Sequence, residues 1–265
     1  TAGKNTAVGR SSLSANITGA QNVAVGYTSL EANTTGANNV AVGYQALDSN
    51  TTVSEGTAVG YRALQANTTG ANNTAIGTTA MLDNTTGQQC VAVGSNAMAN
   101  NTTANDNTSV GAYSMNSNTT GTTNTALGRN ALRTNTTGSD NTALGYNALY
   151  YNTGIYNTAV GSLALQANTS GQQNVAVGRA TLLGNTTGNY NTASGYNALG
   201  NVTTGQQNVA VGRLAGSGLT TGGNNTFLGY YARPSTAAQN NTNVIGHNVV
   251  GAAGYTTIGV STSDI

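Results

Sequence analysis

Thr57 to Asn73 reads Thr-Ala-Val-Gly-Tyr-Arg-Ala-Leu-Gln-Ala-Asn-Thr-Thr-Gly-Ala-Asn-Asn, and the same phrase begins again at Thr74-Ala75-Ile76-Gly77. The period is read from the glycine that ends each Ala-Val-Gly. Those glycines are Gly9, Gly26, Gly43, Gly60, Gly77, Gly94, Gly111, Gly128 and Gly145, with 17 residues in every step. One step of 16 reaches Gly161, a residue being missing near Asn152-Thr153-Gly154. Steps of 17 resume through Gly178, Gly195, Gly212, Gly229 and Gly246, and a last step of 13 reaches Gly259. A fixed short period marks a repeat architecture, in which each unit buries its apolar face only against its neighbours. Positions below are counted from the anchor glycine, so that Ala58 stands at −2 and Leu64 at +4.

A unit of 17 residues is too short for helix-pair repeats, which need roughly 33, and Gly, Asn and Thr in every unit are poor helix formers. Two short strands and two turns fit. The first strand is Asn-Thr-Ala-Val-Gly, as at Asn73 to Gly77, and the second is centred on Ala63-Leu64. Asn67-Thr68-Thr69-Gly70 supplies turn chemistry, with the glycine expected at φ > 0. The predicted fold is all-β: a parallel β-solenoid, or β-roll, of about fifteen 17-residue turns, regular over residues 1–241 and irregular over 242–265.

Alternation assigns the columns. The −1 residues run Val8, Val25, Val42, Val59, Ile76, Val93, Val110, Leu127, Leu144, Val160 and Val177, and are expected to point inward. So are the +4 residues, from Leu13 through Leu64, Met81, Met98 and Met115 to Leu199. The −2 column then faces outward: Ala24, Ala41, Ala58, Ala75, Ala92, Ala126, Ala143, Ala159, Ala176 and Ala193, with Ser109 as the exception. A column held at Ala on an outer face reads as a surface packed against another copy in a symmetric homo-oligomer. The alternative is that Ala suits a cramped interior. Two Asn columns, Asn5 through Asn225 at −4 and Asn16 through Asn185 at +7, are expected to form stacked amide ladders.

At +1 a row of Tyr27, Tyr44, Tyr61, Arg129, Tyr146, Arg179, Tyr196 and Arg213 is a candidate receptor- or glycan-facing surface. The reading preferred for it is that Tyr covers the core edge or stacks on the next turn.

The Asn-Thr-Ala-Val-Gly-Tyr-x-Ala-Leu unit resembles the Asn-Ser-Val-Ala-Ile-Gly repeat of trimeric autotransporter adhesin heads, and more closely the longer repeats of phage tail fibres and bacterial surface proteins, which often precede a self-cleaving chaperone. The resemblance spans residues 5–259, although the unit here is longer than that of the adhesins. It implies a left-handed parallel β-roll, three chains side by side, and an adhesive or shaft role outside a cell or virion, with a host-surface receptor or glycan as partner. A helical filament built from copies of the chain is the alternative assembly, and an ice-binding solenoid a further one. Against ice binding, the Thr34-Thr35 pairs are adjacent at a turn rather than alternating along a strand. The start at Thr1 without a signal-peptide pattern reads as a fragment or processed product, and Gly246 to Ile265 as a shaft tip leading into another module.

Composition points away from chemistry. Only 6% of residues are charged, net +1, against roughly 25% charged in ordinary domains, so nucleic acid is not expected as a partner. No apolar run approaches the ~18 residues of a membrane span, so no direct membrane insertion is expected. His247 is the sole histidine and Cys90 the sole cysteine, the latter standing in the −4 Asn column, so no triad or metal cluster is assembled from them. The acids Glu31, Asp48, Glu55, Asp83, Asp106, Asp140 and Asp264 are scattered over different units and unpaired. No catalytic, cofactor-binding or metal-ligating residue is assigned, and no enzyme activity is expected. The Asn-x-Thr triplets, such as Asn33-Thr34-Thr35 and Asn67-Thr68-Thr69, would be glycosylation acceptors in a eukaryotic secretory pathway; turn chemistry also accounts for them.

Overall fold

A computed structural model describes residues 3–260, and Asp264 and Ile265 lie outside that range. Its regular elements are all β, and the chain winds as a parallel β-solenoid of about fifteen turns with the 17-residue spacing. Two compact units divide it, Thr1–Thr137 and Gly138–Ile265. In the first, three-residue strands run from Thr6–Val8, Val23–Val25 and Val40–Val42 to Thr125–Leu127, each pairing parallel with its successor. The register is in phase, Ala over Ala, as in Ala7↔Ala24 and Ala58↔Ala75. The second unit continues the pattern from Thr142–Leu144 to Thr226–Leu228, then to the longer strands Asn243–Gly246 and Thr256–Gly259. A short second pairing, Arg233–Pro234 with Val250–Gly251, appears only there among the described residues.

The opposite wall is not a strand, except where Arg233–Pro234 pairs with Val250–Gly251. From +1 to +6 it is a run of turns in which +2 and +4 both take left-handed backbone, as at Arg62 (φ 53°) and Leu64 (φ 53°). Successive turns still bond there, Leu47 N–H to Ala63 O at 3.1 Å and Leu64 N–H to Ala80 O at 2.9 Å. A left-handed Leu costs about 1–2 kcal/mol. Full burial of the side chain contributes about 1.5–3 kcal/mol, so Leu is kept where backbone preference alone would choose Gly.

The core inverts one sequence-based assignment. Ala24, Ala41, Ala58, Ala75, Ala92, Ala126, Ala143, Ala159, Ala176 and Ala193 are all 0% exposed; they line the interior and present no surface to a partner. The −1 residues point outward instead, with Ile76 40% exposed and Leu127 45% exposed. The buried Asn at −4 explains the parity. Two residues on, −2 must share its inward direction, and −3 and −1 must face out.

Substitutions within the core confirm which positions meet. Ser109 at −2 hydrogen-bonds Ser114 at +3, side chain to side chain. Where Phe227 replaces the −2 Ala, Gly216 replaces the +4 Leu one turn earlier, and a Cβ on Gly216 would lie 3.0 Å from the Phe227 ring. Large-for-small on one wall is thus matched by small-for-large on the other.

Candidate functional site

Most turns are closed by a pair of amides, one Asn at −4 and one at +7. Within one turn, Asn22 Nδ2 and Asn33 Nδ2 both donate to the Gly36 carbonyl, at 2.9 and 3.0 Å. Between turns, Asn22 Oδ1 accepts the Asn39 N–H at 2.9 Å, and Asn33 Nδ2 donates to Asn16 Oδ1 at 3.0 Å. The same four contacts recur at Asn174, Asn185 and Gly188 in the second unit, where Asn185 Nδ2 reaches Asn168 Oδ1 at 2.7 Å. Both columns are buried, so the stacked ladders expected from sequence are present.

This arrangement takes the amides out of play for other chemistry. Asn33 and Asn67, the acceptors of the Asn-x-Thr triplets, are essentially inaccessible and their Nδ2 atoms are bonded. The following Thr is used as well, Thr68 Oγ1 donating to Thr85 O at 3.0 Å. The glycine of Asn-Thr-Thr-Gly is not at positive φ, contrary to the turn reading. It is required because a Cβ on Gly70 would collide with the Gly87 carbonyl and lie 2.6 Å from Asn67 Oδ1.

Cys90 replaces one clamp residue. It is buried, its thiol lies 3.4 Å from Gln88 O and Ala104 O, and burial pushes it up to about 11. Among the described residues no group of three or more His, Cys, Asp and Glu could hold a metal ion. One detail of the acids changes: Glu31 and Asp48, at +5 in consecutive turns, interact. Partial burial first, and the Glu31 charge second, hold the Asp48 carboxyl above its usual range.

Two exposed features remain. The first is the Tyr/Arg row, which stands on the surface and stacks in two stretches, Arg10 to Tyr61 in the first unit and Arg179 to Tyr230 in the second. Tyr27, Tyr44 and Tyr61 stack with centroids 5.3 Å apart, and Arg213 lies 5.5 Å from the Tyr196 ring and 5.4 Å from that of Tyr230. Arg179 reaches Tyr196 at 5.6 Å, Tyr146 is 48% exposed, and Arg129 is exposed. Stacking on the next turn is therefore present. It covers the ring faces and leaves edges and hydroxyls to solvent.

The second feature was missed in the sequence reading: the outer face of the strands. At −3 stand Thr and Val and at −1 Val, Ile and Leu, with Ser194 the one −1 exception among residues 3–230. Not one of these positions is charged, and Val91, Val177 and Val209 are each more than a third exposed. The signal was available: the −1 column varies among Val, Ile, Leu and Ser, as an exposed column does, while −2 hardly varies.

No helix among the described residues is long and apolar enough to cross a membrane. Neither the family models nor the curated proteins searched contain a match to this chain.

Proposed function

We propose that the chain is a structural segment of an extracellular fibre or adhesin shaft, at a cell or virion surface, and that copies associate side by side through the outer Thr/Val face. The observation that carries this reading is that face. It repeats an uncharged, partly aliphatic strip at every turn, whereas ordinary monomers break such strips with charge. The interior supports the same view, since its polar groups are consumed by the amide clamps and serve construction rather than catalysis. The trimeric expectation rests on the family resemblance, with the interface moved from the Ala column to the −3/−1 face.

The test is light scattering of the purified chain, with electron micrographs of the same sample. A discrete species near three times the 26.4 kDa chain mass is expected, and Val93→Lys with Val110→Lys should dissociate it without unfolding, because both side chains lie on the outer face. A stable monomer overturns the interface. Long uniform filaments replace the closed trimer by the filament assembly.

A second reading has a specific observation behind it. Thr57, Thr74, Thr108 and Thr125 lie at −3 on a parallel sheet face, an alternating placement unlike the turn pairs that argued against ice binding. Thermal hysteresis and ice-crystal shaping by the monomeric Lys variants and by the native chain test it directly.

A further inference from the structure

We infer that the second unit carries a binding cleft for an acidic saccharide, at the point where its repeat loses regularity. This deepens the attachment reading above and rests on it.

At the Gly43 and Gly60 turns the ridge formed by +2 and +5 is filled by long side chains bonding one another: Arg62 Nε donates to Gln65 Oε1 at 2.7 Å, and Gln65 Nε2 to Gln45 Oε1 at 3.1 Å. On two consecutive turns near the end of the chain, the +5 position is cut back to Gly200 and Ser217, and Gly218 follows Ser217 at +6. A Cβ on Gly218 would meet nothing within 4 Å. The result is an open cleft of about 570 Å³, within the 300–1,000 Å³ of small-ligand sites.

The lining is polar: Asn197, Asn201, Ser217, Ser235 and Thr236 stand around it. Arg233 supplies the one formal charge in the lining. Its guanidinium lies 4.0 Å from the Tyr231 ring centroid, and Nη1 donates to Asn248 Oδ1 at 3.1 Å. It is thereby held in place with other N–H donors unspent. Among the described residues, Asp140 is the one carboxylate of this unit, and no ion pair to Arg233 is seen among them.

A fixed guanidinium favours a carboxylate, which it can bind in bidentate fashion. The neutral polar lining, Asn197, Asn201, Ser235 and Thr236, favours a ligand rich in hydroxyls. A uronic-type sugar joins both, and the cleft volume accommodates one or two sugar residues.

The probe is a disaccharide ending in glucuronate, with the same disaccharide carrying neutral glucose as comparison, titrated into the full chain and followed by ¹H–¹⁵N NMR. Weak, fast-exchange binding is expected, with shifts concentrated at Asn197, Ser217 and Arg233. The neutral sugar should bind at least about 10-fold more weakly, as should Arg233→Gln against the acidic sugar. Arg233→Lys should recover part of the loss, and Tyr61→Ala, far along the chain, should bind as the native protein does. Circular dichroism melts of each variant separate lost binding from lost fold.

No shifts at high sugar concentration overturn the site, equal binding of acidic and neutral sugars overturns the acidic class, and undiminished binding by Arg233→Gln overturns its role. Light scattering on the same samples keeps the two readings apart: an oligomer that binds neither sugar leaves the shaft standing and removes this site.

Discussion

Replacing Asn174 by Ala tests whether the amide clamps hold the turns together, and its cost can be worked bond by bond. The fully buried side chain donates from Nδ2 to Gly188 O at 2.8 Å and accepts the Asn191 N–H at 3.0 Å. Two longer contacts, both 3.2 Å, join it to Asn157 Oδ1 and Asn191 Nδ2. After truncation, Gly188 O keeps Asn185 Nδ2 at 3.0 Å, Asn157 Oδ1 keeps the Asn174 N–H at 3.0 Å, and Asn191 Nδ2 keeps Gly205 O at 2.8 Å. Only the Asn191 backbone N–H is stranded. A stranded buried donor costs about 1–3 kcal/mol and each lost net bond about 1 kcal/mol, giving about 3–5 kcal/mol in all. Asn185 is the control, equally buried. Its Oδ1 has no partner, so Asn185→Ala strands Asn168 Oδ1 but removes an unsatisfied oxygen, for a net cost of about 1–2 kcal/mol. Urea unfolding gives both values, and native-state hydrogen exchange reads the Asn191 amide. Equal costs, or unchanged Asn191 protection in N174A, refute the clamp.

The ladder stops at Val202, which occupies the +7 column one turn after Asn185; Val202→Asn should be at least as stable as the native chain by thermal melt, whereas Val202→Ala loses about 2 kcal/mol. Ala176→Val should destabilise by about 1–3 kcal/mol through overpacking, and Val177→Thr by less than about 0.5 kcal/mol; the reverse order in urea unfolding would restore the outward Ala column. Phe227→Ala should cost about 3–5 kcal/mol, and Gly216→Leu in that background should return part of it, a coupling read by a double-mutant cycle. The raised Cys90 pKa has a definite sign: its contribution is fully present below the unfolded thiol value and is lost as pH rises through about 11. Cys90→Ala should therefore flatten the alkaline fall in stability, and native Cys90 should resist alkylation at pH 8 until the chain unfolds.

The period, the parallel stacking, the +4 core column and the Asn ladders were legible because each depends on residue identity repeated at fixed spacing. What misled was a chemical habit: Val was sent inward because it is larger and more apolar than Ala. The Asn column at −4 already contradicted this, since a strand cannot bury −4 and −1 together. The second wall was read as a strand because the sequence gives no sign that Leu64 and its equivalents take left-handed backbone; only full burial among neighbouring turns makes that conformation favourable. The cleft at Ser217 and Arg233 is still less legible, since it arises from short or missing side chains across two turns rather than from a motif.

These substitutions show what sets the width of the solenoid. A Cβ on Gly60 would lie 2.6 Å from the Gly77 carbonyl carbon and one on Gly161 would lie 2.6 Å from that of Gly178, so the corners pack backbone on backbone with no space for a side chain. In most turns the two Asn amides fix the other end against the +10 carbonyl. With both ends held by backbone contacts, the distance between the walls is not free to follow the side chains. The side chains must instead fill a given gap: Ala with Leu in most turns, Ala with Met in two, Ser109 with Met in one, and Phe227 against Gly216 in one. A core governed by apolar bulk alone would tolerate a larger −2 residue by spreading. Here the glycine corners and amide clamps forbid spreading, and this is why a column of Ala, which resembles an interface when read as a list, belongs to the interior.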